Sequence, residues 1–83
     1  MMNYKKLGEY VTAQPFRPFR IKMVSGQSFD IRHPEMILVG VNSAKVYTTK
    51  PDDPDGPEFW TDASLMLMET IEPLEPQTTT GKN

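Results

Sequence analysis

"PFRIKMVSGQSFDIRHP", residues 18–34, is the stretch whose reading decides the fold. Apolar and polar residues alternate through it. Phe19, Ile21 and Met23 oppose Arg20 and Lys22, then Phe29 and Ile31 oppose Asp30 and Arg32. Successive side chains of a strand point to opposite faces, so the pattern predicts two half-buried strands. The join between them can be tested for register. A three-residue loop, Val24-Ser25-Gly26, with the glycine in the left-handed position, sets Met23 opposite Gln27, Ile21 opposite Phe29 and Phe19 opposite Ile31. A two-residue Ser25-Gly26 turn would put Phe29 opposite Lys22, mixing the faces, and is rejected. The accepted register also sets Arg20 opposite Asp30 on the outer face, an ordinary cross-strand pair.

The stretch ends at His33-Pro34, followed by Glu35; His33 is the sole histidine of the chain. Read as chemistry, His33 and Glu35 would be an acid–base or metal pair on one face of a strand. Pro34 lies between them, and a proline inside a strand marks an edge, a bulge or a bend. A nucleophile–base pair needs a third, orienting residue, and a zinc site needs three or four ligands. With one histidine and no cysteine, neither set is available locally. The reading adopted is that His33 ends a strand and Pro34 turns it. No residue is assigned to catalysis, to a metal or to a cofactor.

Working outward, "NYKKLGEYVTAQ" places Tyr4, Leu7 and Val11 at helical spacing with Tyr10 alongside, and predicts a short helix capped by Asn3 and stopped by Pro15. Gly8 weakens such a helix by up to ~1 kcal/mol, so it needs tertiary packing. Downstream, "MILVGV" reads as the second strand continued past the bend, "AKVYTT" as the next strand after a turn at "GVNS", and "FWTDA" as another. "LMLMETIEPL" supplies the last strand, ending at Pro73. Its four successive apolar residues, Leu65 to Met68, do not alternate, so both faces of that segment are expected to be covered. The cover is either internal, a turn plus strand plugging the fold, or a second copy laid against an edge strand.

The fold class is therefore mainly β: a small five-stranded, strongly bent barrel of the Sm or SH3 kind, with an N-terminal helix. Residues 1–75 form the single domain, and 76–83 are a polar tail with nothing to bury.

The chain has 83 residues, no cysteine and a net charge of −2. A domain this small buries only about 60% of its unfolded surface, so a partner could supply part of its stability. Without cysteines, disulfides and thiolate sites are excluded. The first ten residues carry charges and tyrosines where a signal peptide needs an apolar run, and the apolar runs are too short to span a bilayer. A cytoplasmic protein with no membrane contact is the expectation. The charge is polarised: residues 1–34 carry six cations against Glu9 and Asp30, while 35–83 carry three lysines against nine carboxylates. That permits head-to-tail attraction between copies, or one basic face for an anionic partner.

Two further patterns bear on what the chain could bind. In "PDDPDGPEFWTD", Asp53, Asp55, Gly56 and Asp62 fall at positions three, five, six and twelve of a calcium-loop frame. Position one is Pro51 and the segment holds three prolines, so the loop at residues 51–58 is read as a solvated acidic loop. The cations Lys5, Lys6, Arg17, Lys22 and Arg32 are candidate nucleic-acid contacts, with Lys22, Arg17 and Arg32 left free by the Arg20–Asp30 pairing. They lack the exposed aromatic interleaving that single-strand binders use. There is no glycine-rich phosphate loop, dinucleotide fingerprint or G-x-S-x-G. The composite expectation is a non-enzymatic, self-associating interaction module with no cofactor. Met66, Met68, Tyr47 and Trp60 are its candidate contacts, and Sm-like RNA binding is the alternative.

Phe16, Pro18, Phe19 and Ile21, then Ser25-Gly26, then Ile31, His33, Pro34 and Glu35, with "IEPLE" near the end, resemble a family of small uncharacterised bacterial proteins. Its pattern is F-x-P-F-x-[IV], a [DS]-G turn and [IV]-x-H-P-[ED]. The resemblance spans roughly residues 3 to 75 and implies no particular activity, since the family has none established. A looser similarity, in element order alone, is to Sm-like RNA-binding proteins. It implies a small barrel, but the aspartate–aromatic–asparagine segment through which Sm proteins contact RNA is missing here.

Overall fold

The computed structural model describes residues 2–50 and 52–74. Pro51 and the tail at 76–83 lie outside the described residues, with Glu75. Helix α1 spans Tyr4–Thr12, and the Asn3 side chain accepts a hydrogen bond from the Lys6 amide at 2.8 Å. That bond satisfies one of the donors every helix start leaves unpaired. Leu7 is fully buried, Tyr10 and Val11 pack on the core, and Tyr4 stays exposed.

Six strands follow: β1 (Phe19–Met23), β2 (Ser28–Ile31), β3 (Ile37–Val39), β4 (Ser43–Thr48), β5 (Phe59–Ser64) and β6 (Met68–Pro73). They form two antiparallel three-stranded sheets, β2-β1-β6 and β3-β4-β5. The β1–β2 register is the expected one, with Phe19 opposite Ile31, Arg20 opposite Asp30 and Ile21 opposite Phe29. The Met23 amide donates to the Gln27 carbonyl at 2.8 Å, closing the three-residue loop, and Gly26 has φ 95°. A side chain there would meet the left-handed penalty that glycine escapes. The β3–β4 turn also needs its glycine: the Gly40 amide donates to the Ser43 carbonyl at 2.8 Å, and a Cβ on Gly40 would lie 2.9 Å from that oxygen.

The mainly β class with an N-terminal helix holds, and the strands differ from the expected five in two places. The second strand is not one bent strand, because Pro34–Met36 forms a 3₁₀ turn that passes the chain from one sheet to the other. Proline lacks the amide a continuous ladder needs, and here it opens the turn. The last strand starts at Met68 rather than at Leu65, because Leu65–Leu67 is a second 3₁₀ turn crossing back. Among the described residues the sheets do not close on each other, as β5 pairs with β4 and β6 pairs with β1.

The core lies between the sheets. Phe19, Ile21, Met23, Phe29 and Ile31 come from the first, Ile37, Ala44, Val46 and Ala63 from the second, and Leu65 and Met68 from the crossing. Leu7 joins them from α1, which lies against β3. No described helix is long and apolar enough to cross a membrane.

Candidate functional site

The outer face of the first sheet carries the hairpin cations. Arg20 donates to both carboxylate oxygens of Asp30, from Nε at 2.7 Å and from Nη2 at 3.2 Å. This two-pronged bond lowers the Asp30 pKa from its ordinary value, with partial burial opposing and the charges of Arg20 and Arg32 adding to the shift. The same bond raises the pKa of Arg20. Arg32 also reaches Asp30 at 3.7 Å, and Lys22 reaches Glu72 at 3.7 Å. The expectation that Lys22 and Arg32 stay free is thereby corrected. β6 brings a carboxylate from the acidic half of the chain beside β1, where Arg20 also faces Glu72 in register, so part of the charge polarity along the sequence cancels in space. These exposed pairs are individually weak, yet they leave no uniform basic stripe on this face.

Of the other candidate cations, Lys5 and Lys6 lie on α1 and Arg17 on the segment leading to β1. All three are exposed, without an ion pair among the described residues. Lys6 and Arg17 meet at a groove of about 380 Å³ between α1 and the β1–β6 corner. The five cations thus fall into two groups, one within reach of carboxylates on the sheet and one around the helix.

The self-association candidates also divide. Tyr47 and Trp60 face each other across β4 and β5, with ring centroids 5.0 Å apart and planes at 46°. They stand on the outer face of the second sheet, near exposed Leu38 and the Lys45–Asp62 pair at 2.9 Å. Met66 lies beyond the other end of β5, in the second 3₁₀ turn, and is 71% exposed. Met68 is 2% exposed and belongs to the core. Its assignment as a surface contact is corrected: in a 3₁₀ turn residues i and i+3 share a face, so Leu65 and Met68 point inward and Met66 and Leu67 outward.

Met66 has company that sequence reasoning missed. Val24 from the hairpin loop, Val41 from the β3–β4 turn and Leu67 are 60%, 67% and 52% exposed. Hydrogen bonds tie these segments together: the Val24 amide donates to the Leu67 carbonyl at 2.8 Å, and the Leu65 amide to the Asn42 carbonyl at 3.0 Å. The result is an apolar end of the molecule flanked by uncharged polar residues of these turns and by one carboxylate, Asp62. A valine at each of two turns, where polar residues are the rule, was the available signal.

His33 precedes the first 3₁₀ turn with extended backbone and caps nothing with its side chain; Glu35 is exposed within that turn. In the acidic loop, amides of Asp53 and Gly56 donate to the carbonyls of Lys50 and Asp53, each at 3.0 Å, making two successive turns. No group of three or more histidines, aspartates or glutamates among the described residues could hold a metal ion. Comparison of the chain with known protein families, characterised proteins and solved structures gave no match.

Proposed function

We propose that this chain is a non-catalytic, cytoplasmic assembly module whose copies join edge to edge, β5 of one copy beside β6 of the next. The observation that carries the reading is the state of those two strands. Four strands are hydrogen-bonded on one side only among the described residues, and β5 and β6, consecutive in sequence, are the longest of them, with six residues each against four in β2 and three in β3. An unpaired edge is a row of amides and carbonyls prepared to accept another strand. Because the two edges are different surfaces, their union is head to tail, which closes into a ring when the rotation allows and otherwise runs on as a filament. The turn joining them carries exposed Met66 and Leu67 beside Val24 and Val41. Charge-depleted surface enriched in methionine is characteristic of an interface centre.

Taking β2 and β3 as one strand interrupted by Pro34–Met36, the strand order becomes β6-β1-(β2/β3)-β4-β5, which supports the Sm-like reading of the fold. The resemblance to the small bacterial family with the His-Pro-Glu segment belongs to the same proposal. Hydrogen–deuterium exchange at two protein concentrations tests the edges: outward amides of β5 and β6 exchange slowly in concentrated solution and quickly in dilute. Equal rates at both concentrations would remove this geometry.

The alternative, Sm-like RNA binding, now rests on Lys5, Lys6 and Arg17, since Lys22 and Arg32 each lie within 3.7 Å of a carboxylate. The assembly reading expects no RNA affinity at low salt. Affinity that falls steeply as salt rises would favour the alternative.

A further inference from the structure

The groove at the β1–β6 corner touches the proposed edges only at Pro73, the last residue of β6, and none of the exposed residues of the apolar end line it. One face of α1 supplies Lys6, Glu9 and Tyr10, at the spacing of successive helical turns, and Ala13 follows at the helix end. Arg17, Pro18 and Phe19 supply the opposite wall, and Pro73 closes one end. The floor is apolar: the half-buried Tyr10 ring lies beside two prolines and rests on the buried Phe19, with ring centroids 5.4 Å apart and planes at 51°. The rim is ionic, with the Lys6 and Arg17 cations against the single carboxylate of Glu9. Neither cation is in an ion pair among the described residues, although four others of the chain are. An apolar floor with a few convergent polar groups is the usual make-up of a small-ligand site, and about 380 Å³ falls in the usual size range.

We propose that this groove binds a small aromatic organic anion. Its ring lies against the exposed part of Tyr10, between Pro18 and Pro73, where offset and tilted aromatic contacts are favoured. Its carboxylate meets Arg17, whose planar fork matches two oxygens, with Lys6 as the second charge. Glu9 opposes the anion and limits affinity.

The test titrates the full chain with naphthoate, followed by backbone chemical shifts, with uncharged naphthamide as the control. Shifts centred on Tyr10, Ala13 and Phe19 are expected, with naphthamide binding more weakly. Arg17 and Glu9 are exposed and touch the core little, so their variants keep the fold. Arg17→Gln is expected to weaken naphthoate about tenfold or more, the effect of losing a charged hydrogen bond. Glu9→Gln is expected to tighten it. Absence of shifts at the groove, equal binding of naphthamide, or indifference to both substitutions would overturn the proposal.

Discussion

Two 3₁₀ turns carry this chain between its sheets, and they are built alike. Pro34–Met36 takes it from β2 to β3, and Leu65–Leu67 takes it from β5 to β6. Each is three residues long, follows an extended residue that makes no side-chain cap, and ends with an amide bonded back to the first residue of the turn. Their chemistry is opposite. The first is polar, with His33 and Glu35 in solvent and only Met36 half-buried. The second is apolar throughout, burying Leu65 while exposing Met66 and Leu67, and it is hydrogen-bonded to both neighbouring loops. A crossing needs no exposed apolar side chain, as the first turn demonstrates. The methionine and leucine at the second are the exposed apolar pair that the proposed contact would cover.

The sharpest way to break this comparison is to exchange inside for outside at the second turn. Leu65→Ala, which empties a buried site, is expected to cost about 2–5 kcal/mol and to lower the melting midpoint by roughly 10 °C or more. Met66→Glu, one residue on, is expected to change the stability of the single chain by no more than about 0.5 kcal/mol while dissociating the assembly. Thermal melts and sedimentation on the two variants separate these effects, and comparable loss of fold in both would deny the division of labour within the turn.

Next in size is Gly26→Ala. With φ at 95°, the substitution is expected to cost about 1 kcal/mol in chemical denaturation. A neutral result would mean the hairpin loop relaxes and that Val24 is not held against Leu67 by it.

Smaller again is the acid response of the first sheet. The folded-state pKa of Asp30 is depressed, so its contribution is full above the unfolded carboxylate value near 4 and is lost as pH falls through its lower folded value. Asp30→Asn should lower stability at neutral pH, leave it unchanged in strong acid, and so flatten the pH–stability curve below about pH 4. An unaltered slope would show that Arg20 gains nothing from the pair. Smallest of all is His33→Ala at the first turn, expected to shift stability by less than about 0.5 kcal/mol and to leave the oligomeric state intact. Any larger effect would erase the contrast between the turns.

What could be read from the sequence follows the range of the interactions. The β1–β2 register was legible because alternation and one glycine settle it within a few residues. The bend at Pro34 was legible as well, but not that one strand ends and the chain changes sheets there, which depends on β3 finding β4. Leu65 to Met68 could not be resolved, since four apolar residues fit a covered strand as well as a turn. The carbonyls of Asn42 and Leu67 that decide it are bonded to partners far away in sequence. Lys22 was expected to be free because its partner Glu72 arrives only through β6. The groove at α1 was invisible for the same reason, being assembled from a helix face, Pro18 and Pro73.

The proposed pairing of β5 and β6 between copies is tested most directly by the solution mass. Light scattering on a size-exclusion column, across a range of loading concentrations, is expected to give a multiple of the 9.5 kDa chain, reduced to a single chain by Met66→Glu. A mass of one chain at every concentration would contradict the account.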